Sequence, residues 1–256
     1  MLTNVDSIEF NYSEEDKKLF KPEQREHWKN IQRHYLDLRK KCLQEITLPQ
    51  SGTHREWITS RVNYHTSPSL IRLLYLTEGF CNSSKTFNAV SSAVLVKAMV
   101  EIPLHLGYIT WILSEHNSFE EIKSELHKLA FGNRDPESGL TTSGKVTQKI
   151  LYTRSDEMVK KIFKKNPSAI NIFESLYKDA NATGHHNYEA RMLTGIQNKD
   201  TWKAKDRKES FVFFSNNIFQ FFMHCDAVLG MSGLLLKAID HYLSHLPLNF
   251  PGHETT

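Results

Sequence analysis

Lys97, Glu101 and His105 recur at intervals of four within the apolar stretch from Phe87 to Leu113. On a helix, residues four apart stack along nearly one face, so the three form a polar line set into an apolar rod. A carboxylate between an ammonium and an imidazole can orient the imidazole and hold it charged, or act as a base in a dry pocket. The same line suits an internal ion pair, because buried charges find partners whether or not they do chemistry. Pro103 falls between Glu101 and His105. Inside a helix it removes a backbone hydrogen bond, which predicts a kink beside the polar line.

A second group comprises Tyr177, His185, His186, Asn187 and Arg191. A Gly-His-His turn places two imidazoles where a loop meets a rigid element, and such loops often carry function. With the first line it would complete a cluster of Lys, Glu and His that meets an anion, with Glu101 orienting the basic groups. A third group is His241 and His245, whose i, i+4 spacing lets two imidazoles share a metal ion, with Asp240, His224 or Asp226 as a further ligand. No Glu-x-x-His pair occurs, so the ferritin-like di-iron pattern is absent. Histidines in a last helical turn also complement the helix dipole. No cofactor fingerprint is present: the near P-loop Gly139-Leu140-Thr141-Thr142-Ser143-Gly144-Lys145-Val146 has Val146 in place of the magnesium-binding hydroxyl residue.

The elements that must position these groups are helical. Apolar residues recur at steps of three and four, glycine and proline are sparse, and no credible strand pair appears, which predicts an all-α multi-helix bundle. The first strong helix is expected from Pro22 to about Ile46, with a seam of Trp28, Ile31, Tyr35, Leu38, Cys42 and Ile46. It would form an N-terminal arm over residues 1–50, able to lay one stripe on the body or to dimerise. The rest, 51–256, reads as a bundle with an internal loop at 131–144. Within it, one helix is expected over 54–65 and a new one from Ser67-Pro68. Asn82 or Ser83 would cap the helix carrying the polar line, and Asn117 or Ser118 the next. Further helices are expected at about 145–164, 169–182 and 188–193. The last, 208–246, is apolar enough to span a bilayer, but Ser215, Asn216, Asn217, Gln220, His224, Asp226 and Lys237 interrupt it, which favours a buried central helix over a membrane span.

The net charge of +3 is too small for a dedicated nucleic-acid binder, although it leaves RNA possible. Three widely spaced cysteines, Cys42, Cys81 and Cys225, match no metal or redox spacing and suit a reducing cytoplasm. The N-terminal residues lack a basic start followed by an apolar core, which again points to the cytoplasm.

An apolar helix with Lys97 four residues before Glu101, followed much later by an aromatic-led helix and polar turn from Leu176 to Asn187, resembles bacterial helical families related to the HEPN superfamily and to abortive-infection proteins. The resemblance spans roughly residues 70–246. It implies a helical bundle, an RNA or phosphate-bearing ligand and a defence or stress setting. The superfamily's ribonucleases carry Arg, four to six residues, then His; no such spacing occurs here, and Lys97 stands where arginine is expected. The resemblance therefore implies the ligand class and leaves catalysis open. Two alternatives remain: a metal-dependent hydrolase resembling the DinB type through His241 and His245, and a non-catalytic homodimer joined by the N-terminal seam.

Overall fold

The computed structural model describes residues 14–43, 45–46, 52–86, 88–131, 146–162, 171–184, 195–198, 201–204 and 207–251. Its helices are α1 (Glu14–Leu19), α2 (Pro22–Arg39), α3 (His54–Lys85), α4 (Ala89–Glu115), α5 (Phe119–Phe131), α6 (Gln148–Ile162), α7 (Ile172–Gly184) and α8 (Arg207–His245). The all-α bundle class holds. Between α7 and α8 lies a short antiparallel hairpin, β1 (Gly195–Asn198) and β2 (Thr201–Ala204), with Gly195 opposite Ala204. Strands of four residues are too short for alternation to show in sequence.

The chain forms two compact units. Unit 1 comprises Met1–Lys41, Leu70–Ile102 and Ser175–Gly233; unit 2 comprises Cys42–Ser69, Pro103–Glu174 and Leu234–Thr256. The N-terminal arm helix thus belongs to a unit together with parts of α3, α4, α7 and α8.

In unit 1, α2 starts with Pro22 and with Gln24 Oε1 accepting from the Lys21 amide at 2.7 Å, which satisfies a free N–H of the first turn. Its seam is buried at Trp28, Ile31, Tyr35 and Leu38 as expected. The helix stops at Arg39, so Cys42 and Ile46 lie outside it. Trp28 packs edge-on against Phe20 and Phe222, and Phe80 packs edge-on against Phe222, forming an aromatic core. Burying a ring such as Phe222 contributes about 1.5–3 kcal/mol. Tyr35 donates to Glu78 Oε1 at 2.6 Å. Ser83 and Ser92 hydroxyls meet at 2.9 Å, where α3 and α4 run antiparallel.

The expected break at Ser67-Pro68 is absent: α3 continues through Pro68. Proline leaves the Tyr64 carbonyl without its helical amide, and hydroxyls bond the carbonyls on either side of it. Ser69 donates to the His65 carbonyl at 2.9 Å and Thr66 to that of Asn63 at 3.5 Å. Since α3 extends to Lys85, Asn82 and Ser83 cannot cap α4. Asn88 does so, its Oδ1 accepting from the Ser91 amide at 3.0 Å.

In unit 2, Ser118 caps α5 and Thr147 caps α6. α6 therefore begins at Gln148, three residues later than expected. His54 stacks on Phe119 with ring centroids 4.0 Å apart and accepts from the Phe250 amide at 3.1 Å. Arg55 donates through Nε to the Leu246 carbonyl at 2.7 Å, satisfying an orphan group after the end of α8. Two stretches, Ala89–Glu115 and Gln220–His245, are long and apolar enough to cross a membrane, and 56% and 50% of an apolar 18-residue window in each is buried inside the fold.

Candidate functional site

Unit 2 holds a cavity of about 510 Å³ walled by the C-terminal half of α4, by α5 and by α6. Each helix buries one face and turns a chemically mixed face toward the cavity. On α4, Ile109, Ile112 and Leu113 are core, while Tyr108 and Trp111, three apart, stack with centroids 5.4 Å apart at 21°. On α5, Ile122 and Leu126 are buried, and Glu125 and Lys128 form an ion pair at 2.6 Å. On α6, Leu151, Ser155, Asp156, Met158 and Val159 face inward, leaving Lys149, Ile150, Thr153 and Arg154 on the cavity side.

Close helix packing sets this geometry. Ser155 Oγ donates to the Leu104 carbonyl at 2.9 Å, and it lies where a side chain on Gly107 would stand, so only glycine lets α6 approach α4 this closely. Lys161 and Glu115 pair at 2.8 Å. Asp156, buried on α6, accepts from the amides of Phe173 at 2.8 Å and Glu174 at 3.2 Å, and so caps α7 from a neighbouring helix.

The electrostatics of the cavity are preset. Glu125 Oε2 accepts from the Tyr108 hydroxyl at 2.7 Å and Oε1 from Lys128. Burial acts to raise the Glu125 pKa, but the hydrogen bonds from Lys128 and Tyr108 prevail and hold the carboxyl below its ordinary range. Burial and then the Glu125 hydrogen bond push the Tyr108 phenol upward, so it stays a neutral donor. The Arg154 guanidinium lies 4.5 Å above the centre of Trp111, and its Nη1 donates to Glu157. Among the described residues, Nε and Nη2 of Arg154 and the Lys149 ammonium engage no hydrogen-bond acceptor. The lining carries Lys128, Lys149 and Arg154 against Glu125, an excess of positive charge beside the apolar surfaces of Val146, Ile150 and Trp111.

The residues singled out by spacing are distributed differently. Lys97, Glu101 and His105 do lie on one half-buried line of α4, but Lys97 and Glu101 belong to unit 1 and His105 to unit 2. Glu101 pairs with Arg72 of α3 at 3.7 Å, a partner that spacing along α4 does not disclose. His105 stands near His65 of α3, whose pKa is lowered to about 4 by burial, by the His105 charge and by Arg61. Tyr177 is half-buried on α7 in unit 1. His185, His186, Asn187 and Arg191 lie outside the described residues, as do the helix expected at 188–193 and the loop expected at 131–144 apart from Phe131, which ends α5. His241 and His245 lie exposed on the last turns of α8, rings 4.3 Å apart, with His245 Nδ1 2.7 Å from the His241 carbonyl. Among the described residues no group of three His, Cys, Asp or Glu side chains could hold a metal ion.

Unit 1 has its own polar centre. Asp226 on α8 receives His27 Nδ1 and Asn30 Nδ2 at Oδ2, at 2.7 and 3.2 Å, while His34 Nε2 lies 3.5 Å from Oδ1. The three partners sit at i, i+3 and i+7 on α2, one face of the helix, so the pattern was present in sequence without the acceptor that explains it. The unit 2 cavity had a comparable signal in the paired Tyr108 and Trp111 and in the mixed face of α6, but nothing in the sequence shows which helices meet there.

No family model, curated protein or solved structure matches the chain.

Proposed function

We propose that the chain binds a small phosphate-bearing organic anion in the unit 2 cavity. The observation that carries this reading is Arg154, held 4.5 Å over the Trp111 ring with an edge of its guanidinium fork unengaged among the described residues, in a cavity that also carries Lys149 and Lys128. A planar fork of fixed orientation matches phosphate and carboxylate oxygens two at a time, and a stacked guanidinium loses little freedom on binding. Thr153 offers a hydroxyl beside it, and Ile150 and Val146 cover an apolar body. The volume falls within the range of small-molecule sites, about 300–1,000 Å³. The resemblance to HEPN-type helical proteins supports the same ligand class and a defence or stress role.

The test is calorimetric titration of the full chain with phosphate monoesters, inorganic phosphate and matched neutral alcohols. A charge-assisted hydrogen bond contributes about 1.5–3 kcal/mol, so Arg154→Met and Lys149→Met are each expected to weaken the best phosphate ligand at least tenfold, with thermal midpoints retained. Equal affinity for the neutral alcohol, or unchanged affinity in Arg154→Met, overturns the reading.

A further inference from the structure

Resting on that reading, we infer that the cavity selects a guanine mononucleotide, with Glu125 reading the N–H edge of the base and Arg154 and Lys149 holding the phosphate. An ionised carboxylate offers about four lone-pair positions on its two oxygens. Lys128 occupies one on Oε1 at 2.6 Å and Tyr108 one on Oε2 at 2.7 Å. Among the described residues no further partner reaches either oxygen, so each keeps an acceptor position. That pair of acceptors is complementary to two adjacent, coplanar N–H donors. Guanine presents such a pair at its ring N1–H and its exocyclic amine. Adenine presents an amine beside a ring nitrogen lone pair, which would face a carboxylate oxygen and repel it.

Three features of the wall reinforce the assignment. Glu125 is oriented and kept ionised by its own neighbours, so the cavity does not need the ligand to create the charge. Its side chain retains 17% exposure, enough to meet a ligand from the cavity side. The α6 wall is of the other sign, from Lys149 and Arg154, with Ile150, 39% exposed, between them in sequence to cover the face of a ring. A ligand that is a donor at one end, flat in the middle and anionic at the other matches all three.

The experiment titrates the full-length chain with the 5′-monophosphates of guanosine, inosine and adenosine. Inosine keeps the ring N–H and lacks the exocyclic amine. Each lost hydrogen bond to a charged acceptor is expected to weaken binding about tenfold, so guanosine exceeds inosine and inosine exceeds adenosine monophosphate. In Glu125→Gln, whose carboxamide pairs one donor with one acceptor, the guanine preference is expected to vanish, while adenosine monophosphate, whose amine and ring nitrogen match that pair, is expected to bind at least as tightly as to the parent. The comparison of three nucleotides on the unmodified chain needs no variant, so poor folding of Glu125→Gln would not obscure it. Equal affinity for the three nucleotides, together with loss of all three in Arg154→Met, overturns the guanine assignment and leaves the phosphate site standing. Failure of any nucleotide to bind while another phosphate monoester binds in an Arg154-dependent way overturns the assignment likewise. Absence of binding by every phosphate ligand overturns both.

Discussion

Nδ1 of His27 and Oδ2 of Asp226 meet at 2.7 Å across 199 residues of sequence, in unit 1. The carboxylate also receives Asn30 and lies within 3.5 Å of His34, so one side chain of α8 holds a whole face of α2. Gly230, one turn further along α8, lies against the same His34 ring. Replacing Asp226 with alanine strips a common acceptor from several half-buried donors. Unfolding in urea is expected to show a loss of about 1–3 kcal/mol, the cost of leaving buried polar groups unsatisfied. A midpoint unchanged from the parent would show that α2 is held by its apolar seam alone.

The same centre makes stability depend on pH. Burial lowers the pKa of His34, and Asp226 only partly offsets it, so the folded state favours the neutral imidazole. The unfolded chain takes up the proton first, near pH 6.5, and stability declines as pH falls from there toward the folded value. His34→Gln is expected to flatten this decline in urea midpoints measured between pH 7.5 and pH 5, conditions chosen to bracket the ordinary histidine value of about 6.5.

His65 in unit 2 carries the larger shift. Its ring is expected to titrate near the value of about 4, and not near the ordinary histidine value of about 6.5, in a two-dimensional NMR titration. Its stabilising effect is therefore complete above about 6.5 and is lost progressively as pH falls toward about 4. Because the His105 charge contributes to the shift after burial, His105→Gln should move the His65 midpoint upward. A midpoint that stays fixed would assign the shift to burial and Arg61.

Gly107→Ala tests the contact that shapes the cavity. A β-carbon there would lie 2.3 Å from Ser155 Oγ and 3.0 Å from the Ser155 α-carbon, so α6 must move away from α4. Overpacking of this kind costs about 1–3 kcal/mol. Thermal melts should show that loss, with ligand affinity falling because Arg154 and Trp111 are carried on the separated helices. Adding Ser155→Ala removes the nearest atom but leaves the backbone contact, so only part of the loss should return.

Asp156 is expected to be equally sensitive. Its carboxylate caps α7 through two amides, and Asp156→Ala should cost about 0.5–2 kcal/mol, the range for a lost cap. Hydrogen exchange should quicken at Phe173 and Glu174 before it does in α6. Uniform protection in the variant would mean that α7 is held by Phe173 and Leu176 packing instead.

Much of the architecture was legible because it rests on local periodicity. The steps of three and four placed the buried seam of α2 at Trp28, Ile31, Tyr35 and Leu38, and capping chemistry narrowed the start of α5 to Asn117 or Ser118, of which Ser118 is the cap. The misreadings have local causes too. Ser67-Pro68 reads as a helix start, yet side-chain hydroxyls bond the carbonyls of the preceding turns and the helix runs through. The hairpin after α7 is shorter than the window in which alternation can be seen.

The polar centres could not be read in the same way, because hydrogen bonds and ion pairs join residues that sequence spacing does not relate. Glu101 was visible as part of a line with Lys97 and His105, but Arg72 came from another helix, and the line is shared between two units. His27, Asn30 and His34 formed a legible face without Asp226, which lies 199 positions beyond His27. Periodicity along the chain determined which residues share a helix face. Only tertiary packing, through contacts as close as that of Ser155 with Gly107, decided which faces meet and so which charges stand around Trp111.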